Sequence, residues 1–239
     1  MDHAGILAAL QKGTFSLQGQ FVSGSNYTFL GTIGGEDGEY PVVYKPLRGE
    51  QPLWDFPLRS LAHREVAAYL LSQAMDWELV PPTVFRRKGP LGSGSVQLFI
   101  NHDPEYHYFN FSPEDRERLR AVAVFDLITN NADRKGGHIL KGEDGHLWMI
   151  DHGLCFHSED KLRTVVWDFA GQPIPAELLA DLARLDELLA EGAPLREDLL
   201  AHIQEAEVAA LALRAQTLRG LGIFPPPPES RRHFPWPPV

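Results

Sequence analysis

Apolar and polar positions alternate with a period near two along the first hundred residues. The segments "GTFSLQGQFV", "YTFLGTI" and "YPVVYKPL" alternate or cluster β-branched and aromatic residues. The separators "SGSN" and "GGEDGE" are turn-forming, so three strands joined by turns are predicted. The period then lengthens. In "LRSLAHREVAAYLLSQAM", Leu58, Leu61, Val66, Tyr69 and Leu70 fall near one stripe, which predicts a helix. "VPPTVF" and "SVQLFI" read as two further strands.

Beyond residue 100 the pattern is mostly helical. "FSPEDRERLRAVAVFDLITN" begins with Ser112 as N-cap, Pro113 at the first helical position, and Glu114 and Asp115 in the first turn. Leu119, Val122, Phe125 and Ile128 recur at threes, so one face of this helix is expected in the core. "HIL" and "HLWMI" flank the turn "KGEDG" as a β-hairpin. Two Leu/Ala-rich helices are expected over Pro175–Glu191 and Leu195–Gly220. The proline-dense tail "FPPPPESRRHFPWPPV" cannot be a regular helix. It reads as a strap on the body anchored by Phe234 and Trp236, with a partner-binding segment as the alternative. The predicted order is a β-rich lobe with one helix over 1–100, a mostly helical lobe over 101–224, and a tail over 225–239.

Composition narrows the function classes. The 239 residues, 44% hydrophobic, suit one large domain or two lobes. No apolar run approaches the roughly 20 residues of a membrane span, and the N-terminus makes a poor signal peptide. The lone Cys155 excludes an internal disulfide framework and suits a cytoplasmic location. A net charge of −10 disfavours nucleic acid as a partner. The basic runs at Arg86–Lys88 and Ser230–His233 are too short to reverse that.

Taken singly, each chemically capable residue has a structural explanation. Lys45 suits a strand lysine that reaches water. Glu65 suits a solvated helix position, Asp133 a turn and Asp151 a strand end. Their order says more. A Ser/Gly turn after the first strand can cradle phosphate with backbone N–H groups. Lys45 on the third strand can reach the same phosphates, and Glu65 on the next helix can hold that lysine. Asp133, in a loop after a long helix, can orient an attacking hydroxyl. Asp151, after a buried strand, can hold magnesium. These are the parts of a phosphoryl-transfer site.

The same segments resemble the phosphatidylinositol 3- and 4-kinase superfamily, and within it the type II phosphatidylinositol 4-kinase branch with the plant γ-type enzymes and small bacterial kinase-like proteins. "SGSNYTF" resembles the phosphate-binding loop, "VVYKP" the lysine strand and "HREVAAYLLSQ" the glutamate helix. "VPPT" matches the stretch that follows. "SVQLFI" resembles the adenine-binding hinge, "NNADRKGGHIL" the catalytic loop and "IDHGLC" the metal-binding motif. The resemblance implies an α+β, two-lobed protein-kinase-like fold. It implies ATP with Mg²⁺ or Mn²⁺ as cofactors and Asp133 and Arg134 as the catalytic pair. Ser23, Gly24, Ser25, Asn26, Lys45, Glu65, Leu98, Phe99 and Ile100 would bind the nucleotide, and Asp151 the metal.

His138 stands where the family usually carries a metal-binding Asn. Imidazole is a poorer Mg²⁺ ligand than oxygen and a better one for Mn²⁺. His138 is therefore a candidate metal ligand that shifts metal preference, leaves one metal or weakens catalysis. The alternative is a hydrogen bond to phosphate or to Asp133. Lys135 also replaces a common His, and it either offsets substrate charge or faces water. His152 matches the Asp-His-Gly of the branch. His146 and His157 are expected to be structural or exposed. The expected activity is transfer of the γ-phosphate to a hydroxyl of a protein or soluble small molecule. A phosphoinositide acceptor and a nucleotide-binding scaffold without turnover are the alternatives. No palmitoylation segment, basic amphipathic helix or polybasic run supports membrane docking.

Overall fold

Strand alternation builds the N-terminal lobe. The structure, a computed structural model, describes residues 3–21, 26–35 and 38–239. Strands β1 (Thr14–Gln20), β2 (Phe29–Gly35), β3 (Gly38–Pro46), β4 (Thr83–Gly89) and β5 (Gly92–Leu98) form an antiparallel sheet in the order β1-β2-β3-β5-β4. Tyr40, Val42 and Tyr44 of β3 are buried in one cluster with Ile33, Val96 and the helix α1 (His3–Lys12). Lys45, the next residue, points to the opposite face by the same alternation. The hydrophobic pattern did not mark α1. Its ten residues are too short for a stable isolated helix. Packing of Ile6, Ala9 and Leu10 on the sheet supplies the stability.

Helix α2 (Leu61–Ala74) carries Glu65. Leu58 precedes it and is 72% exposed, outside the buried stripe that Leu61, Val66 and Tyr69 form. Ala67, Leu71 and Met75 belong to the same core cluster as the helical lobe, so α2 is held by both lobes.

The expected helix from Ser112 to Asn130 is two helices, α3 (Pro113–Glu117) and α4 (Arg120–Thr129). Ser112 caps α3 by accepting from Asp115 N–H, as expected. At the break the bonds tighten to i→i+3, with Arg118 N–H on Asp115 O and Leu119 N–H on Arg116 O. Asp115 accounts for the break. Its buried carboxylate takes bonds from Tyr106 Oη at 2.7 Å, Lys141 Nζ at 2.7 Å and Arg118 Nη1 at 3.0 Å, which pins the first turn. Leu119, Val122, Phe125 and Ile128 are all buried. Asn130 ends α4 in the left-handed region, at φ 56°.

The hairpin β6 (Ile139–Lys141) and β7 (Leu147–Met149) pairs Ile139 with Met149. Helix α5 (Ala176–Leu188) follows. The expected final helix is again split, into α6 (Pro194–Leu200) and α7 (Glu205–Leu221). A buried ion pair explains the split. Glu207 Oε1 accepts from Arg64 Nη2 of α2 at 2.6 Å, and its Oε2 caps Gln204 N–H at 2.9 Å, which starts a new helix there. No periodicity in the segment reports a partner 143 residues away.

The tail lies on the helical lobe, but the expected anchors are wrong. Phe234 and Trp236 are 42% and 76% exposed, while Pro235 is buried. Main-chain bonds from Thr164 N–H to His233 O and from Gly136 N–H to Pro238 O hold it, together with the Arg231 side chain on Asp160 and Leu162 O.

The Arg64–Glu207 pair generates a stability prediction. Removing one partner of a buried pair costs roughly 3–5 kcal/mol, because the other charge stays buried. Glu207→Gln is expected to lower the unfolding free energy by about 3 kcal/mol in urea titrations, and Arg64→Met combined with Glu207→Leu by much less. Equal losses in the two proteins would contradict the assignment.

Candidate active site

Four elements converge on one crevice. Lys45 Nζ, from β3, donates to Glu65 Oε1 of α2 and to Asp151 Oδ1 at 2.8 Å. Glu65 is 2% exposed, and its Oε2 accepts from His152 N–H at 2.9 Å. Burial works against the Lys45 ammonium, but Asp151 and Glu65 outweigh it and hold its pKa above the ordinary value. Asp151 shows the reverse balance. Burial pushes its pKa up, while Lys45 and then His138 hold it well below the carboxylate range.

The backbone at Asp151 has φ 61°, a region that non-glycine residues rarely adopt. Its neighbours hold it there. Ile150 O accepts from Arg134 Nη1 at 2.7 Å, Ile150 N–H donates to His138 O at 3.0 Å, and His152 N–H is on Glu65. Bonds on both sides fix the one conformation that turns this carboxylate toward Lys45.

Asp133 follows α4 in the loop after Asn131. Asn131 Oδ1 accepts the Asp133 N–H at 2.9 Å, and Lys135 Nζ lies 3.4 Å from Asp133 Oδ2. Burial pushes the Asp133 carboxyl up to about 6, Lys135 opposes the shift and Asp151 adds to it. His138 Nε2 lies 3.4 Å from Asp151 Oδ2. Burial depresses its pKa to about 4, so the ring is neutral at pH 7. Lys135 N–H donates to His138 Nδ1 at 3.4 Å, which makes Nδ1 the acceptor and leaves the proton on Nε2, facing Asp151. Coordination of a metal through Nε2 needs the other tautomer and the loss of that bond.

Arg134 is placed differently from the expectation of a catalytic pair. It is fully buried. Its Nε donates to Asp126 Oδ1 and Oδ2 at 3.1 and 3.2 Å, and Nη2 contacts His152 Nε2 at 2.7 Å. It lies beneath the crevice and joins α4, the Asp133 loop and the Asp151 segment. Asp126 was missed. It also accepts from Thr164 Oγ1 at 2.9 Å and Asn131 Nδ2 at 3.2 Å. The available signal was an acid inside the otherwise apolar run "VFDLI".

Ser23, Gly24 and Ser25 lie outside the described residues. The Asn26 side chain accepts Gln51 N–H at 2.7 Å, which ties residue 26 to the segment before α2. At the expected hinge, Leu98 N–H donates to Pro82 O and Phe99 N–H to Pro41 O, both at 2.9 Å, and Ile100 O meets His102 Nδ1 at 2.8 Å. Three main-chain groups of the expected adenine edge therefore have protein partners.

Residues 58–189, more than half of the chain, match the model for "Phosphatidylinositol 3- and 4-kinase". The chain belongs to the phosphatidylinositol 3- and 4-kinase family. The matched range includes Glu65, Asp133, His138 and Asp151 and begins after Lys45. "Protein Rv2133c" of Mycobacterium tuberculosis (strain ATCC 25618 / H37Rv) is 41% identical over 96% of this chain and 94% of its own. "Phosphatidylinositol 4-kinase gamma 4" of Oryza sativa subsp. japonica is 32% identical over 52% of this chain. The chain spans 26% of that plant relative's length. The crystal structure of the Helicobacter pylori proinflammatory kinase CtkA superposes with a TM-score of 0.54 at 11% identity, covering 90% of this chain and 94% of that one. That likeness bears on the fold alone. Family and fold together are those of a kinase-type phosphotransferase.

The raised Asp133 carboxyl links stability to pH. The unfolded carboxyl titrates near 3.8 and the folded one near 6. Between those values the folded state holds the extra proton, so stability falls as pH rises through this window and stays lower above it. Asp133→Asn removes that penalty. It is expected to unfold at higher temperature than the wild type at pH 8, by about 1–2 kcal/mol after screening at this partly exposed site. The gap should close by about pH 3, where both carboxyls are neutral. A gap that persists at low pH would mean that charge is not its cause.

Proposed function

We propose that this protein is an ATP-dependent kinase that transfers the γ-phosphate to a hydroxyl of a protein or soluble small-molecule acceptor. The observation that carries the proposal is Lys45 bonded at once to Glu65 and Asp151, with Asp133 and His138 in the same crevice. This arrangement combines a cation for phosphates, a carboxylate that positions it, a carboxylate for a metal and a carboxylate for the acceptor.

The residues fit a divalent metal that arrives with the nucleotide. Among the described residues no group of three or more His, Cys, Asp and Glu side chains is arranged to hold a metal ion. Asp151 is half exposed, with one oxygen on Lys45 and the other toward His138. One carboxylate plus substrate phosphates and waters is an ordinary Mg²⁺ environment. The bound metal would neutralise phosphate charge. Lys45 would give up Asp151 and bind phosphate oxygens, while Glu65 keeps it aimed. Asp133 would take the proton of the acceptor hydroxyl, which needs its ionised form, so transfer should rise with pH through about 6. His138, with its proton on Nε2, would donate to Asp151 or to a phosphate oxygen; we favour this role over metal ligation.

A lipid acceptor is the second reading. Trp54 and Leu58 are 92% and 72% exposed. A cavity of about 300 Å³ lined by Arg48, Phe56, Leu58 and Arg59 lies beside them. Basic and apolar groups of this kind suit a membrane surface. Among the described residues no helix is long and apolar enough to cross a membrane.

Transfer from γ-labelled ATP to phosphoinositide vesicles, protein mixtures and metabolite mixtures separates the two. Label in protein or metabolite is the expected outcome, and vesicle-only transfer reverses the order. Asp133→Asn should keep the thermal shift given by ATP with Mg²⁺ and lose about 10²–10⁴-fold in transfer. Binding without transfer in the wild type would indicate a scaffold instead. His138→Gln should leave the ratio of Mn²⁺- to Mg²⁺-supported turnover within about twofold, and a collapse of the Mn²⁺ rate alone would identify His138 as a ligand.

A further inference from the structure

The tail crosses the surface beside the Asp133 loop, and its contacts are those of an extended peptide in a groove. Residues 163–165 lie alongside the loop. Arg134 N–H donates to Arg163 O at 3.0 Å and Val165 N–H to Arg134 O at 3.2 Å, a parallel bridge. On the outer side, Thr164 N–H donates to His233 O of the tail at 3.1 Å. Farther along, Gly136 N–H donates to Pro238 O at 2.8 Å. Gly136 is three residues from Asp133. A side chain there would not fit, because a Cβ would meet the Phe109 ring at 2.8 Å. Phe109 therefore forms one wall, and the Gly136 N–H beside it is open to the Pro238 carbonyl of the tail.

We propose that this surface, from Asp160 to Trp167 and on to Gly136, is the docking groove for an extended, proline-containing, basic polypeptide acceptor, and that residues 231–239 occupy it in cis. The proposal rests on the kinase reading with a protein acceptor. Recognition through main-chain N–H groups accepts an extended chain of many sequences, and flanking side chains then select. The selecting groups are present. Arg231 donates to the Asp160 carboxylate and, at 2.6 Å, to Leu162 O, so the entry to the groove takes a cation. The Trp167 indole meets the His233 ring edge-on at 5.9 Å.

Two features mark the tail as a replaceable occupant. First, it buries little side chain: Phe234, Trp236 and Val239 are 42%, 76% and 54% exposed, and Pro235 alone of residues 231–239 is buried. Segments with few buried contacts open at the low end of the local stability range. Second, the Trp167 Nε1–H is buried with no hydrogen-bond partner. A buried orphan donor is rare in a well-matched site, and the ring that carries it is the one that packs edge-on against His233 of the tail.

The test uses the full chain with Arg231→Glu, which sets two negative charges against each other at Asp160 and unseats the tail. Pro235→Asp is a second unseating change. Trypsin cleavage after Arg232 reports release, and thermal melts report folding. A fluorescein-labelled peptide of residues 229–239 is titrated by anisotropy. It should bind the unseated chains about tenfold more tightly than wild type, because the groove is no longer occupied in cis. The KM for myelin basic protein, a basic and extended proline-containing acceptor, should fall by a similar factor, with acceptor-free ATP turnover unchanged. Equal peptide affinity for wild-type and unseated chains overturns the proposal. So does peptide binding with no change in the KM for myelin basic protein, or a joint fall of its phosphorylation and acceptor-free turnover, which would make the tail a brace. If neither chain turns over ATP, the kinase reading falls, and the anisotropy comparison, read without turnover, decides the groove by itself.

Discussion

The buried guanidinium of Arg134 is the constraint on which the site depends. A fully buried arginine carries five N–H groups, and leaving them unmet is expensive. Four of them meet Asp126 on α4, the carbonyls of Ile150 and His138, and the ring of His152. Satisfying one side chain thus fixes the end of α4, the loop carrying Asp133 and the segment carrying Asp151 relative to one another. Replacing it by an apolar residue would leave Asp126 buried and charged, with only Thr164 and Asn131 as donors.

A second balance, electrical rather than steric, sits on top of that knot. Lys45 stands between two carboxylates, so the crevice without nucleotide already neutralises much of its own charge. On the proposed kinase reading, entering phosphates would displace Asp151 from Lys45 and free Asp151 for a metal. The strained backbone at Asp151 makes this exchange local. Bonds on both sides keep the main chain in place, and the side chain alone needs to turn. Burial keeps the Asp133 carboxyl near neutrality on the pH scale, whereas Asp151 is held ionised. Two acids of the same type thereby titrate in opposite directions through environment alone.

The sequence was legible where local periodicity and tertiary packing agree. Strands β2 and β3, the stripe of α2 from Leu61 onward, the buried face of α4 and the small hairpin carry patterns that their packing obeys, whereas β1, on the sheet edge, is exposed at all but one position. It was illegible where a distant partner overrides the pattern. The single helix expected after Ser112 breaks at Arg118 because Asp115 is pinned by Tyr106 and Lys141. The last helix splits at Ile203 because Glu207 turns to meet Arg64. Helix α1 exists because the sheet offers it a face, and the tail is held by two of its carbonyls and by Arg231 on Asp160, contacts with residues far away in the chain.

The same division runs through the site. Residue types, their order and their spacing by themselves determined that a lysine strand, a glutamate helix and two aspartate loops are present, because those features follow from local periodicity and motif chemistry. Only the tertiary structure decided which of them meet. It brought Lys45, Glu65 and Asp151 into contact and took Arg134 out of the crevice. It set the Nε2 edge of His138 toward Asp151 and laid the tail beside the Asp133 loop. These outcomes depend on burial and on hydrogen bonds between residues tens of positions apart, and a one-dimensional pattern holds no information about which buried groups must satisfy one another.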